Sequence, residues 1–227
     1  TSFGIGSIPA KYKKVYSNYL RRIDYLSARE TSGQEIIKEL TDKKVPLVND
    51  PALLLDAEGW NEIVSRKPFI KDKYVFCYFM GNNPEQREFV KRLAKEKGLK
   101  IVALLHLDQY IASDEHYVEL APWHVSPADF VNLVKNAECV CTDSFHGTVF
   151  SIIYSRPFFT FKRFNRKASL STNTRITSLL TRLDLMERLV TNMNVKPIFD
   201  IDWTRIQDGV SEFRNASSEY FLNAIRA

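Results

Sequence analysis

The chain has 227 residues, of which 44% are hydrophobic and 26% charged, a composition typical of a globular protein with a full core. Its net charge is +5, and no apolar run approaches the roughly 20 residues that cross a bilayer, so an integral membrane protein is not predicted. The three cysteines, Cys77, Cys139 and Cys141, lie in apolar runs, so we expect reduced core residues of a cytoplasmic protein rather than a disulfide framework or a zinc site.

The first part of the chain predicts two short strands around one helix. Residues 23–28 form the first strand, and residues 31–40 form the helix, with Ser32 and Glu35 in the positions of a capping box. Residues 46–48 form the second strand, which ends at an Asn-Asp-Pro turn.

The rest of the chain alternates apolar strands with amphipathic helices. Strands are predicted at 74–80, 99–105, 139–142 and 157–161. Helices are predicted at 84–97, from Ser126 onward, at 148–154, after Asn173 and at about 206–225. This alternation predicts an α/β fold, a Rossmann-like parallel sheet with helices on both faces.

Three polar loops follow predicted strands, at residues 81–83, from His106 onward and at residues 143–148. Open parallel sheets bind ligands beyond the carboxyl ends of their strands, so these loops are the expected site. In the third loop a helix start offers backbone N–H groups, Gly147 allows a ligand to approach closely, and His146 can transfer a proton. The alternative is a structural histidine beside helix caps. A Ser-His hydrolase is rejected, since Ser144 and His146 point apart on a helix.

Two basic features favour an anionic ligand. Arg29 ends the first predicted strand and keeps its charge, although an ion pair with Glu30 or Asp24 is an equal alternative. The cluster at residues 162–167 fits an anion, an acidic membrane surface or a solvated loop. Nucleic acid is not expected, because no RNA-binding aromatic signature or helix-turn-helix pattern accompanies the cluster.

The remaining histidines, His106, His116 and His124, do not have metal-ligand spacing, so no metal is expected. His124 lies in a loop, residues 122–127, that can line the same cleft.

Five segments in order resemble the polysaccharide pyruvyl transferase family over about residues 20–190. They are Ser27-Ala28-Arg29-Glu30, Asn49-Asp50-Pro51-Ala52-Leu53-Leu54-Leu55, residues 126–147 with Thr142-Asp143-Ser144-Phe145-His146-Gly147, Pro157-Phe158, and Asn173-Thr174-Arg175-Ile176.

The resemblance implies the C-terminal half of a GT-B-type two-domain transferase. Residues 1–22 would connect to a missing N-terminal domain, residues 23–200 would form the donor-binding domain, and residues 201–227 would be a C-terminal helix packing back on the fold.

The resemblance also implies transfer of pyruvate from phosphoenolpyruvate to two hydroxyls of one sugar as a ketal, without a cofactor, in capsular, exopolysaccharide or cell-wall polymer synthesis. The acceptor would be a saccharide or a lipid-linked oligosaccharide, which allows peripheral contact with a membrane.

Arg29 and His146 would be the catalytic residues of this reaction. His146 would protonate the enol carbon, or else assist the sugar hydroxyl or the departing phosphate. The implied substrate-binding residues are Gly81, Asn82, Asp143, Ser144, Phe145, Gly147, Thr148 and Arg175.

The sequence departs from the family pattern at Ser144, where some branches carry a basic residue. The cluster at residues 162–167 or Arg175 would then supply the missing cation. Two alternatives stay open, a GT-B glycosyltransferase that uses a nucleotide sugar and a non-catalytic anion-binding domain.

Overall fold

The computed structural model describes residues 8–163 and 173–226, and the chain divides into two compact units. The first unit comprises Thr1–Leu54, Phe164–Leu185 and Asp208–Ala227. The second unit comprises Leu55–Arg163 and Met186–Gln207.

Three helices precede the first strand, and strands and helices alternate from there on. The helices are α1 (Ala10–Arg21), α2 (Thr31–Thr41), α3 (Ala57–Asn61), α4 (Pro84–Lys97), α5 (Pro127–Asn136), α6 (Phe145–Ile153), α7 (Asn173–Arg182) and α8 (Trp203–Arg226). The strands are β1 (Tyr74–Tyr78), β2 (Lys100–Leu104), β3 (Cys139–Thr142), β4 (Phe158–Phe161) and β5 (Leu189–Val190). Short 3₁₀ turns occupy Pro51–Leu54, Ala112–Asp114 and Met186–Arg188.

The second unit is built on a parallel sheet with the strand order β2-β1-β3-β4-β5. Side chains of β1 alternate between its two faces. Val75 and Cys77 belong to the same buried cluster as Phe89 of α4. On the opposite face, the ring of Phe76 lies 5.8 Å from that of Phe130 of α5. The predicted α/β fold, a parallel sheet with helices on both faces, is therefore confirmed.

Local signals set the ends of the helices around this sheet. The side chain of Asn83 accepts a hydrogen bond from the N–H of Glu85 at the start of α4, and Gly98 ends that helix with φ 62°. Ser126 and Asp129 form a capping box at the start of α5. The predicted start and end of α4 and the predicted start of α5 are confirmed.

The three cysteines are buried and free, as predicted. Burial raises the pKa of Cys139 to about 12, so its thiol stays protonated at neutral pH.

The first unit contains α1, α2, α7 and most of α8. The predicted strands at 23–28 and 46–48 are wrong, since they meet only in a single parallel bridge between Ala28 and Leu47. Pro46 has no N–H to donate, and this limits the pairing.

The predicted capping box of α2 is also wrong. Glu30 is the N-cap residue, with extended backbone and no side-chain cap. Its carboxylate instead accepts a hydrogen bond from the hydroxyl of Thr174 at 2.8 Å.

Helix α8 contributes to the first unit from Asp208 onward. There the hydroxyl of Ser217 accepts a hydrogen bond from the N–H of Asn49 at 2.9 Å. The division of the chain into a connection, a donor-binding domain and a C-terminal helix stays a prediction. Within the described residues, no helix is both long enough and apolar enough to cross a membrane.

Helix α6 packs closely on β3 because Gly147 has no side chain. A Cβ atom at this position would lie 2.6 Å from the hydroxyl oxygen of Thr142. We expect Gly147→Ala to lower the free energy of unfolding by about 1–3 kcal/mol, because the added methyl overpacks the interface.

Gly209→Ala is the matched control, because a Cβ atom there meets nothing closer than 3.6 Å. It should stabilise α8 by about 0.4–1 kcal/mol, since alanine loses less chain entropy in a helix. Urea unfolding of both variants measures the difference, and equal effects of the two substitutions would contradict this account of the packing.

Candidate active site

The carboxylate of Asp143 fastens the end of β1 to the end of β3. It accepts hydrogen bonds from the N–H groups of Met80 at 2.7 Å and Gly81 at 2.9 Å. The side chain of Asp143 is fully buried, and a guanidinium nitrogen of Arg163 lies 3.8 Å from it. We call the side of the sheet where β1, β3 and β4 end the carboxyl edge.

Gly81 is suited to this contact by its small size. A Cβ atom there would lie 2.9 Å from a carboxylate oxygen of Asp143 and 3.2 Å from the side chain of Arg163. The glycine therefore lets the β1 turn approach the carboxylate closely.

Ser144 begins α6 as its N-cap residue. Its hydroxyl accepts a hydrogen bond from the N–H of Gly147 at 3.5 Å, and its carbonyl accepts one from the hydroxyl of Thr148 at 3.1 Å. The Thr148 hydroxyl also lies 2.9 Å from that of Thr160 on β4. These contacts bind the helix start to β4 and direct its positive end toward the carboxyl edge.

His146 is the exposed side chain of this helix start, whereas its neighbours Ser144, Gly147 and Thr148 are buried. Its ring lies 5.6 Å from that of Phe145 in a T-shaped arrangement. An exposed imidazole at the carboxyl edge can exchange a proton with a bound substrate.

Arg163 is a cation at this edge that was not among the individually predicted site residues. It lies two residues after the end of β4, and its guanidinium donates to the carbonyl of Asp143 at 3.4 Å. The sequence analysis identified the basic cluster at residues 162–167 but did not connect it with the end of the preceding strand. That position after a strand was the signal that could have identified Arg163. Arg166 and Lys167 of that cluster lie outside the described residues.

Arg29 lies in the first unit and forms an ion pair with Asp50. The predicted partners, Glu30 and Asp24, are therefore not the ones its guanidinium contacts in this ion pair. Asp50 is buried, and the side chain of Arg29 is 20% exposed. Asp50 was not predicted as the partner of Arg29, although it stands in one of the segments that carry the family resemblance.

The carboxyl group of Glu30, also in the first unit, interacts with Thr174, Arg175 and Arg29. Burial raises the pKa of its carboxyl group, while the hydrogen bond from Thr174 and the charges of Arg175 and Arg29 act in the opposite direction. Two predicted anion-binding residues, Arg29 and Arg175, therefore lie close enough to the Glu30 carboxyl group to lower its pKa.

The predicted site residues fall into three groups by exposure. His146 and Asn82 are exposed, and Gly81, Phe145, Arg29 and Arg175 are partly exposed. Asp143, Ser144, Gly147 and Thr148 are buried and hold the carboxyl edge together. The close approach that Gly147 permits is to Thr142. The binding and catalytic roles of all ten residues stay predictions. Among the described residues, no group of three or more His, Cys, Asp or Glu could hold a metal ion.

Comparison with known families gives one match. Residues 1–163 match the family model described as polysaccharide pyruvyl transferase, which is more than half of the 227-residue chain. No curated protein matches the chain.

Solved structures give low similarities that concern the fold alone. MnaA from S. aureus, solved with UDP, has a TM-score of 0.49 at 15% identity, over 85% of this chain and 51% of its own. The UDP-GlcNAc 2-epimerase of Methanocaldococcus jannaschii has a TM-score of 0.44 at 14% identity, over 81% of this chain and 59% of its own. The glycosyltransferase SnogD of Streptomyces nogalater has a TM-score of 0.43 at 11% identity, over 89% and 68%. The chain thus spans only about half to three fifths of the length of the first two.

The raised pKa of Glu30 predicts a pH-dependent stability. The folded state holds the proton more tightly than the unfolded state, so the stabilisation is present below the ordinary glutamate pKa and is lost as pH rises through the raised value. We expect Glu30→Gln to gain stability relative to the parent chain as pH rises from about 4, where glutamate ordinarily titrates.

Urea unfolding of the parent and variant between acid and neutral pH measures this difference. Glu35→Gln, on the exposed side of the same helix, is the control for replacing one carboxyl group by an amide. A Glu30→Gln variant that loses stability as pH rises would show that the charges of Arg29 and Arg175 outweigh the burial.

Proposed function

Because the chain belongs to the polysaccharide pyruvyl transferase family, we propose that it takes part in the transfer of pyruvate from phosphoenolpyruvate to a sugar, in the synthesis of a capsular, extracellular or cell-wall polysaccharide. The observation that carries the proposal is His146, an exposed ionisable side chain at the start of a helix that follows a buried parallel strand. The neighbouring polar residues are buried and fix the backbone that presents it.

The chemistry required by this reaction matches the residue types present. Phosphoenolpyruvate carries a carboxylate and a phosphate, which call for fixed cations and backbone N–H donors. Arg29 is assigned to one of these anionic groups, because its guanidinium keeps its charge and is held by Asp50. The start of α6 is assigned to anion binding through its positive end.

Formation of the ketal needs two proton movements. The methylene carbon of phosphoenolpyruvate gains one proton, two sugar hydroxyls each lose one, and the phosphate leaves with the other. His146 is assigned to one of these transfers, either as the acid toward the methylene carbon or as the group that assists a hydroxyl or the phosphate. No cofactor is included in this proposal.

Some branches of the family carry a basic residue at the position of Ser144. We assign the role of that missing cation to Arg163. It lies at the end of β4 and partly neutralises the buried carboxylate of Asp143. Without it, a negative carboxylate at the start of α6 would oppose an anionic donor. The departure from the family pattern at Ser144 is thus compensated from a neighbouring strand.

Calorimetric titration of the chain with phosphoenolpyruvate tests donor binding. We expect phosphoenolpyruvate to bind and UDP not to bind, with Arg29→Ala weakening the affinity at least about tenfold through the loss of charge-assisted hydrogen bonds. Arg22→Ala is the control, because Arg22 is an exposed cation in the same unit. Circular dichroism establishes that each variant is folded.

Arg29→Lys separates charge from geometry, since lysine keeps the charge and loses the planar fork. We expect it to bind more weakly than the parent and more tightly than Arg29→Ala. Binding of UDP in place of phosphoenolpyruvate would contradict the proposal and indicate a nucleotide-sugar glycosyltransferase.

A further inference from the structure

A long loop between β2 and α5 is acidic in an otherwise basic chain. None of the 32 Lys and Arg residues lies between Lys100 and Lys135. We call residues 105–126 the acidic loop. Its acidic residues are Asp108, Asp114, Glu115 and Glu119.

The acidic loop is tied to the edge strand of the second unit. Leu120 pairs in parallel with Val102 of β2, and its carbonyl accepts a hydrogen bond from the N–H of Ala103 at 3.0 Å. Because this pairing is parallel, the chain leaves Leu120 in the direction of the carboxyl edge. Trp123 follows three residues later.

A buried ion pair fixes the first half of the same loop. The guanidinium of Arg87 lies 2.6 Å from one carboxylate oxygen of Asp114, and the ring of His106 lies 2.6 Å from the other. The hydroxyl of Ser113 donates to the carbonyl of Asn82 in the β1 turn at 3.1 Å. The loop is therefore preorganised beside the carboxyl edge, which lowers the entropy lost on binding a ligand.

Trp123 and His124 present two adjacent exposed aromatic rings on this loop. Their ring centroids lie 3.8 Å apart with the planes at 34°, and Trp123 is 70% exposed. A large exposed indole stacked on a second ring is available to a ligand with an apolar face. Tyr110, also exposed, donates its hydroxyl to Glu115 at 3.0 Å.

The charge of the loop selects among the possible ligands. Anionic lipid surfaces and nucleic acids are bound through Lys and Arg, and this segment has neither while it carries four carboxylates. A neutral sugar does not need Lys or Arg for its binding. The C–H face of its ring packs on an aromatic side chain, and it carries no negative charge for a basic residue to neutralise.

We propose that Trp123 and His124 form a saccharide-binding platform that holds the acceptor chain. The identification of the saccharide as the acceptor rests on the proposed function. Strand β2, to which the acidic loop is tied, lies two places in the sheet from β3, which leads into α6 and His146.

Calorimetric titration of the chain with neutral tetrasaccharides of glucose, galactose, mannose and N-acetylglucosamine tests the platform. We expect at least one to bind, Trp123→Ala to weaken it about tenfold or more by removing the contact area of the ring, and Trp123→Phe to retain most of the affinity. Tyr19→Ala is the control, because Tyr19 is 63% exposed and lies on α1. It should leave saccharide binding unchanged.

Two further titrations separate the possible failures. Vesicles of phosphatidylglycerol and phosphatidylcholine should not bind, and Trp123→Ala should leave the affinity for phosphoenolpyruvate unchanged. The platform is overturned if no tetrasaccharide binds, if Trp123→Ala binds as the parent does, or if the vesicles bind through Trp123. Loss of phosphoenolpyruvate binding in the parent chain, with saccharide binding intact, would instead overturn the donor assignment and leave the platform standing.

Discussion

The carboxylate of Asp143 joins the ends of three neighbouring strands. It receives two N–H groups from the β1 turn, continues directly from β3, and faces Arg163 at the end of β4. Because the carboxylate is buried, each of these partners is needed to offset the cost of removing its charge from water. The position of the β1 turn relative to β3 and Arg163 depends on this one side chain.

The residues of the segment 143–148 have two different roles. Ser144, Gly147 and Thr148 are buried and shape the helix start, while His146 alone among the first four residues of α6 is exposed. The structural requirement on the buried residues is packing and hydrogen bonding. The proposed chemical requirement falls on His146.

Sequence patterns located the sheet well and the first unit less well. Four of the five strands were predicted to within two residues, because continuous apolar runs ending at polar turns are distinctive. The two-residue strand β5 has no such run. The pairs Arg29–Asp50 and Asp143–Arg163 were missed because each joins side chains about 20 residues apart in sequence, which only the folded chain brings together. The acidic loop could have been recognised from charge alone, since its lack of Lys and Arg is visible in the sequence.

The most direct measurement is the pyruvate ketal content of the polysaccharide made by cells that produce the protein with His146→Ala. Proton NMR of the purified polymer detects the ketal methyl group, and Lys95→Ala on α4 serves as a control at an exposed residue outside the proposed sites. The account predicts that the ketal is lost with His146→Ala and retained with Lys95→Ala, while both variants remain folded. Unchanged ketal content in the folded His146→Ala variant would contradict it and indicate a non-catalytic role for this chain.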